Sequence, residues 1–146
     1  MDKIYDVIIL GAGPGGLAAG IYAGRARLDT LLIEKGKDGG QIAITDEIEN
    51  YPGQMVDGES GPSLIERMTK QVEKFGAERV SDTIVSVDIE GPVKTLVGSN
   101  GTYKARTLII ATGAFPRPIG CKGEGEFMGK GVSYCATCDA SFFEDL

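Results

Sequence analysis

Hydrophobic residues near the start of the chain follow the pattern of a β-α-β unit. Residues 4–10 are a largely aliphatic run that ends at a glycine, which predicts a buried parallel strand. From Gly13 to about Arg27, small and apolar residues recur at helical spacing, which predicts a helix in close contact with a sheet. Residues 30–34 predict a second strand, and this strand ends in an acid.

After this unit the pattern changes twice. Residues 36–62 are rich in glycine and lack a regular period. Irregular stretches of this length are usually functional or disordered, and this one contains several large apolar residues, so we expect an ordered segment that faces a ligand. Pro62 to Phe75 places its apolar residues on one stripe, which predicts an amphipathic helix that Gly76 ends.

Short strands fill the middle of the chain. Apolar runs separated by turn signals predict an antiparallel meander, followed by a further buried strand that ends at Thr112-Gly113. The runs are residues 78–80, 84–89, 93–97 and 102–105 for the meander and 107–111 for the further strand. The order of elements predicts an α/β fold, with a parallel sheet and an added antiparallel meander.

Composition narrows the classes of function. The 146 residues are 42% hydrophobic and carry a net charge of −6, which argues against a nucleic-acid partner because phosphate contacts need clustered Lys and Arg. No apolar run is long enough to span a bilayer, and the chain enters its first strand without a signal peptide, so we expect a cytoplasmic location. The absence of histidine removes Ser-His-Asp and Cys-His catalysis.

Three glycines after the first strand fit the pattern G-x-G-x-x-G. Gly11 permits the tight turn, Gly13 lets the backbone approach a pyrophosphate, and Gly16 allows the helix to pack closely on the strand. Glu34, at the end of the second strand, is placed to accept hydrogen bonds from ribose hydroxyls. A preceding strand, a following helix and a terminal acid together predict a dinucleotide site, but the loop alone does not separate FAD from NAD.

Two of the three cysteines are spaced C-x-x-C. Cys135 and Cys138 can close a small disulfide ring that carries two electrons, and Asp139 follows them directly. The same spacing can hold zinc, but zinc needs four ligands, and only Cys121 could add a thiolate in a chain without histidine. The pattern therefore favours a redox dithiol, with zinc and two inert thiols as the alternatives. Cys121 is interpreted as an incidental thiol.

Further motifs carry a family resemblance. Gly39-Gly40-Gln41, the Asn50–Gly53 sequence NYPG and the Val132–Asp139 sequence VSYCATCD resemble those of the bacterial low-molecular-weight thioredoxin reductases. The meander and the strand that ends in Ala-Thr-Gly are similar to the FAD-binding half of the two-dinucleotide flavoprotein oxidoreductases. The resemblance implies a Rossmann-like FAD-binding domain whose N-terminal part is residues 1–114. Residues 115–146 would be a linker and the start of a second domain that carries the C-x-x-C.

The resemblance also implies a role for each matching residue. Cys138 would lie nearer the flavin and take its electrons, Cys135 would attack the disulfide of thioredoxin, and Asp139 would handle the proton of the thiolate. The residues implied to line FAD are Gly11, Gly13, Pro14, Gly16, Glu34, Lys35, Gly40, Gln41, Asn50, Thr112 and Gly113. The family implies a homodimer for the full-length protein.

The chain departs from the family at Ala140, where a glycine is usual, and in its extent. The family has a second glycine fingerprint for NADPH and a final return to the FAD domain, both beyond the residues present. We therefore expect an incomplete N-terminal part, with NADPH bound only through the downstream region. Two alternatives remain: a ferredoxin-linked or peroxiredoxin-directed reductase of the same fold, and a dinucleotide-binding redox sensor without turnover.

Overall fold

The computed structural model describes residues 3–55 and 57–139. It divides into two compact units, and the division falls between Gly113 and Ala114. The first unit holds a mixed sheet and two α-helices, and the second holds turns and one short helix. The elements are β1 (Ile4–Leu10), α1 (Pro14–Arg25), β2 (Thr30–Glu34), a 3-10 helix (Gly40–Ile44), α2 (Gly61–Lys74), β3 (Glu78–Ser81), β4 (Ile84–Asp88), β5 (Lys94–Gly98), β6 (Thr102–Ile110) and α3 (Ala136–Asp139).

The six strands form one sheet in the order β3-β2-β1-β6-β5-β4. β1 lies between β2 and β6 and is parallel to both, so that Ile9 faces Leu32 on one side and Ile109 on the other. β4, β5 and the first part of β6 are antiparallel. The predicted α/β fold, with a parallel sheet and an antiparallel meander, is confirmed.

Apolar side chains cover both faces of the sheet. On one face, Val7, Ile9 and Leu32 pack with residues of α1 and α2, including the buried Leu17 and Val72. A second cluster, formed by Ile8, Leu31, Ile33, Leu96 and Ala105, joins the parallel strands to the meander. Burial on both faces explains why β1 is aliphatic from Val7 to Leu10. Ligands of α/β folds bind beyond the carboxyl ends of such strands.

Two predictions about the strands were wrong. The 78–80 run does not belong to the meander, because β3 pairs in parallel with β2 after the α2 crossover. The runs 102–105 and 107–111 are not separate strands, because β6 is continuous and pairs with β5 and then with β1. β5 pairs with only the first part of β6, and Ile110 is accordingly 69% exposed rather than buried.

The second unit is held by short-range contacts among its own residues. The carboxylate of Glu124 accepts hydrogen bonds from the backbone N–H groups of Ile119 and Gly120, and Met128 forms an isolated bridge with Val132. Neither unit contains, in residues 3–55 and 57–139, a helix long and apolar enough to cross a membrane.

Candidate functional site

The loop after β1, residues 11–16, is built on backbone contacts that only glycine allows. We call it the glycine loop. A Cβ atom on Gly11 would lie 2.3 Å from the carbonyl oxygen of Ala111, and Gly11 also has a positive φ of 108°. Gly16, in the first turn of α1, lies against the backbone of Gly11 itself. The first and third glycines of the predicted fingerprint therefore let β1, α1 and the end of β6 meet.

Gly13 has a different environment. Its φ of −70° suits any residue, yet a Cβ atom built there would meet nothing within 4 Å. Pro14 is the first residue of α1. Gly13 occupies the N-cap position, where it has no side chain to cap the helix. The first N–H groups of a helix have no partner within it, and they favour anions. Open space beside an uncapped helix N-terminus fits the pyrophosphate of a dinucleotide.

Glu34 is held by backbone N–H groups from two segments of the chain. One carboxylate oxygen, Oε2, accepts the N–H of Ala12 at 2.9 Å, and the other, Oε1, accepts the N–H of Gly36 at 3.0 Å. The half-buried carboxylate therefore joins the glycine loop to the segment after β2. An acid fixed in this way still has lone pairs for a ribose hydroxyl, since each carboxylate oxygen can accept more than one hydrogen bond.

A second glycine segment packs on the first. The N–H of Gly39 donates to the carbonyl oxygen of Ala12 at 2.8 Å, and a Cβ atom on Gly40 would lie 3.8 Å from the Cα of Gly13. Both Gly39 and Gly40 have positive φ, 112° and 55°, which this approach requires. The structure thus brings Gly11, Gly13, Glu34 and Gly40 together. A 3-10 helix begins at Gly40, in a stretch predicted to be irregular.

The other predicted ligand residues lie around this cluster. The N–H of Ala111 donates to the carbonyl oxygen of Leu10, which brings Thr112 and Gly113 to the glycine loop, and both residues are exposed. Lys35 and Gln41 are exposed next to Glu34 and Gly40. Asn50 is exposed on the loop between the 3-10 helix and α2, and no hydrogen bond among the described contacts joins it to the glycine loop.

The two cysteines of the C-x-x-C are joined in a disulfide. The Cα atoms of Cys135 and Cys138 lie 5.2 Å apart, and the N–H of Cys138 donates to the carbonyl oxygen of Cys135 at 3.0 Å. Cys135 precedes α3 and is half-buried, whereas Cys138 lies within α3 and is exposed. The second cysteine therefore lies within the short helix, whereas the first precedes it. Asp139 is the last residue of α3, and its side chain lies outside the described part of the structure, as does Ala140.

The remaining cysteine is separate from this pair. Cys121 is exposed and forms no disulfide. Within residues 3–55 and 57–139 no group of three or more Cys, Asp or Glu side chains is arranged to hold a metal ion. The disulfide geometry supports oxidation and reduction of the Cys135–Cys138 pair.

Comparison with known proteins gives consistent matches over the whole chain. A thioredoxin reductase from Peptoclostridium litorale is 58% identical over 146 residues, which cover 100% of this chain and 46% of that protein. The crystal structure of thioredoxin reductase from Streptococcus pyogenes matches with a TM-score of 0.88 and 42% identity, over 97% of this chain and 46% of that one. A ferredoxin-flavin thioredoxin reductase from Clostridium acetobutylicum matches with a TM-score of 0.69 and 29% identity, over 98% of this chain and 49% of that one.

The chain thus spans about half the length of the relatives it matches. The family model described as pyridine nucleotide-disulphide oxidoreductase matches residues 5–146, which include the glycine loop, Glu34 and the C-x-x-C disulfide. This chain belongs to the pyridine nucleotide-disulphide oxidoreductase family.

Proposed function

We propose that this chain is the FAD-binding and dithiol-bearing part of a thioredoxin reductase, which passes electrons from a donor through FAD to the Cys135–Cys138 disulfide and on to thioredoxin. The observation that carries the proposal is that disulfide, in a chain whose glycine loop leaves open space at Gly13. The names of the relatives support it. Residues 1–114 would form the FAD-binding part, and residues 115–146 the linker and the start of the dithiol-bearing domain.

The residues around the glycine loop fit a dinucleotide. The N-terminus of α1 would hold the pyrophosphate above Gly13, and Glu34 would accept a ribose hydroxyl while its backbone donors fix its orientation. Gly40 would form the opposite wall, because a Cβ atom built on it would lie 3.8 Å from the Cα of Gly13. Gly11, Pro14, Gly16, Lys35, Gln41, Asn50, Thr112 and Gly113 complete the proposed contacts.

The cysteines would perform the exchange chemistry. FAD, when bound, supplies two-electron transfer. Reduction of the Cys135–Cys138 disulfide breaks one S–S bond and takes up two electrons and two protons. The thiolate of Cys135 would then attack a disulfide sulfur of thioredoxin, and the thiolate of Cys138 would release the mixed disulfide and re-form the original S–S bond. With no histidine in the chain, Asp139 is the acid proposed to move the thiol proton.

Further features of the proposal concern the complete protein. The donor would be NADPH, bound outside the residues present, and the protein would act as a cytoplasmic homodimer. A ferredoxin-linked donor is the rival, and the match to the ferredoxin-flavin enzyme favours keeping it in the test. Assays with NADPH, NADH and reduced ferredoxin on the intact protein decide between the donors.

In the intact protein, the test compares Cys138→Ser with Cys121→Ser, which removes the exposed free thiol and serves as the matched control. The proposal expects both variants to bind FAD like the parent protein. Thioredoxin reduction should be abolished in Cys138→Ser and unchanged in Cys121→Ser. Turnover that survives in Cys138→Ser would reject the assigned route, and a parent protein that binds no flavin would reject the FAD site.

A further inference from the structure

Glu59 is a buried acid two residues before the start of α2, and α2 supplies its side-chain partners. Its side chain is only 2% exposed. The carboxylate accepts hydrogen bonds from the hydroxyl of Ser63 at 2.9 Å and from Nε of Arg67 at 2.8 Å through one oxygen. The other oxygen accepts from Nη2 of Arg67 at 2.5 Å. A paired fork of this kind fixes both partners in orientation as well as distance.

The backbone of the same residue closes the loop that carries Asn50. The N–H of Ile48 donates to the carbonyl oxygen of Glu59 at 2.9 Å, and the side-chain amide of Gln54 donates to the carbonyl oxygen of Ile48. Ile48 itself is 5% exposed. Glu59 therefore connects α2, through its carboxylate, with the base of residues 45–55, which we call the Asn50 loop.

The contact between Arg67 and Glu59 also favours the charged form of each partner. The hydrogen bond to Glu59 raises the pKa of Arg67 above its ordinary value, against the opposing effect of burial. The same hydrogen bond from Arg67 is the largest cause that holds the pKa of Glu59 below its usual range, against the opposing effect of burial. Both groups are therefore charged at neutral pH, and the pair remains intact there.

We propose that Glu59 is a positioning residue for dinucleotide binding. Held by Arg67 and Ser63, it fixes the base of the Asn50 loop so that Asn50 is already in place when the ligand arrives. The role of Asn50 rests on the proposed function, whereas the anchoring of the loop rests on the contacts alone. Pre-ordering of this kind strengthens binding. When a loop populates several conformations, the apparent affinity is the intrinsic affinity multiplied by the fraction of molecules in the binding-competent one.

The first experiment tests the anchor without any ligand. Hydrogen–deuterium exchange is compared for the parent protein, Glu59→Gln and Glu66→Gln. Glu66 lies on the same helix but pairs with Lys70 at the surface, where both side chains are 67% exposed, so it controls for loss of an acid. Exchange across the Asn50 loop should rise about tenfold or more in Glu59→Gln only, with β1 unchanged. Unchanged exchange in the loop, or an equal rise in β1, would overturn the local anchor.

The second experiment asks whether the anchor acts through Asn50. FAD affinity is measured for Glu59→Gln, Asn50→Ala and the double variant. We expect Glu59→Gln to raise the Kd for FAD about tenfold. The Kd of the double variant should be no higher than that of whichever single variant binds FAD more weakly. Additive losses would overturn the positioning role. A parent protein that binds no FAD would overturn both the dinucleotide role and the proposed function, while the exchange result would still decide the anchor.

A second variant, Arg67→Lys, tests the same contact if Glu59→Gln does not fold. Lysine keeps the positive charge but cannot form the two-pronged contact with the carboxylate. Loop exchange and the Kd for FAD should therefore move in the same direction as in Glu59→Gln, by a smaller factor. Parent-like values in both measurements would count against the inference.

Discussion

A Cβ atom at position 16 would lie 1.8 Å from the carbonyl oxygen of Gly11, so the first turn of α1 and the loop after β1 are in direct backbone contact. No side chain fits between two backbones at that distance. The contact holds the N-terminus of α1 over the end of β1, where the proposed pyrophosphate site lies. Gly16 therefore has a structural role that precedes any role in binding.

Gly16→Ala should destabilise the fold even without a ligand. The added methyl group must push α1 away from Gly11, and such overpacking costs about 1–3 kcal/mol. Gly15→Ala is the matched control, because a Cβ atom there meets nothing within 4 Å. Its free energy of unfolding should stay within about 1 kcal/mol of the parent value. Urea unfolding measures both variants, and equal stability of the two would contradict the contact.

Gly13→Ala should separate binding from folding. The backbone at Gly13 has an ordinary φ and the space beside it is open, so the free energy of unfolding should fall by no more than about 1 kcal/mol, the cost of alanine at the N-cap position. The methyl group would occupy the space proposed for the pyrophosphate, and the Kd for FAD should rise at least about tenfold. Gly101→Ala, in the turn before β6, controls for an added methyl group away from the glycine loop. Parent-like FAD affinity in Gly13→Ala would show that the ligand does not approach this backbone.

Glu34→Gln should weaken both the loop and the binding of FAD. The carboxylate accepts one backbone N–H on each oxygen, whereas glutamine offers one oxygen and turns an NH2 group toward the other donor. The loss of one charge-assisted hydrogen bond and the unpaired N–H predict a cost of about 1–3 kcal/mol in the absence of ligand. Urea unfolding of the ligand-free protein measures this cost. A variant as stable as the parent would indicate that these hydrogen bonds do not support the loop.

Local patterns in the sequence were enough to locate the first two strands and both long helices. β1 and β2 match the predicted residues 4–10 and 30–34 because glycine and acid mark their ends within the chain itself. The pairing of β3 was not predictable in this way. Three of its four residues are polar, and its neighbour is set by the direction in which α2 returns the chain. Long-range pairing leaves little trace in a short polar strand.

The candidate site was also predictable only where its sequence signals are local. Gly11, Gly16 and Glu34 were predicted from a fingerprint whose physical demands are local. The anchor at Glu59 was missed, because an acid two residues before the first residue of α2 resembles ordinary capping sequence, and Ser60 does accept the N–H of Ser63. Only the fold reveals that Arg67, two turns into the helix, reaches back to that acid.

Thiol counting should report the state of the C-x-x-C directly. The chain has three cysteines, and the disulfide leaves Cys121 as the free one. Alkylation of the denatured, unreduced protein should therefore add one label, and alkylation after reduction should add three. In Cys121→Ser the corresponding numbers are none and two. Intact-protein mass spectrometry reads them, and two or more labels on the unreduced parent would contradict the disulfide.

Asp82 connects the end of β3 to the turn between β5 and β6. It is 3% exposed and accepts hydrogen bonds from the hydroxyl of Tyr103 at 2.8 Å and from the N–H groups of Thr83 and Asn100. Burial is the largest single effect on its pKa and raises it, but the hydrogen bonds together lower the pKa below its ordinary value. A carboxylate with these donors is bound more strongly when ionised.

The sign of the pH dependence follows from that shift. Because the pKa is lower in the folded protein, Asp82 contributes stability above its unfolded pKa of about 3.9, and this contribution is lost as pH falls through the folded value. Asp82→Asn should be less stable than the parent at neutral pH, and the difference should shrink below about pH 4. Tyr103→Phe removes one donor and should show a smaller change of the same kind. Urea unfolding across this pH range measures the difference, and parallel curves for parent and Asp82→Asn would show that Asp82 is not held ionised by the fold.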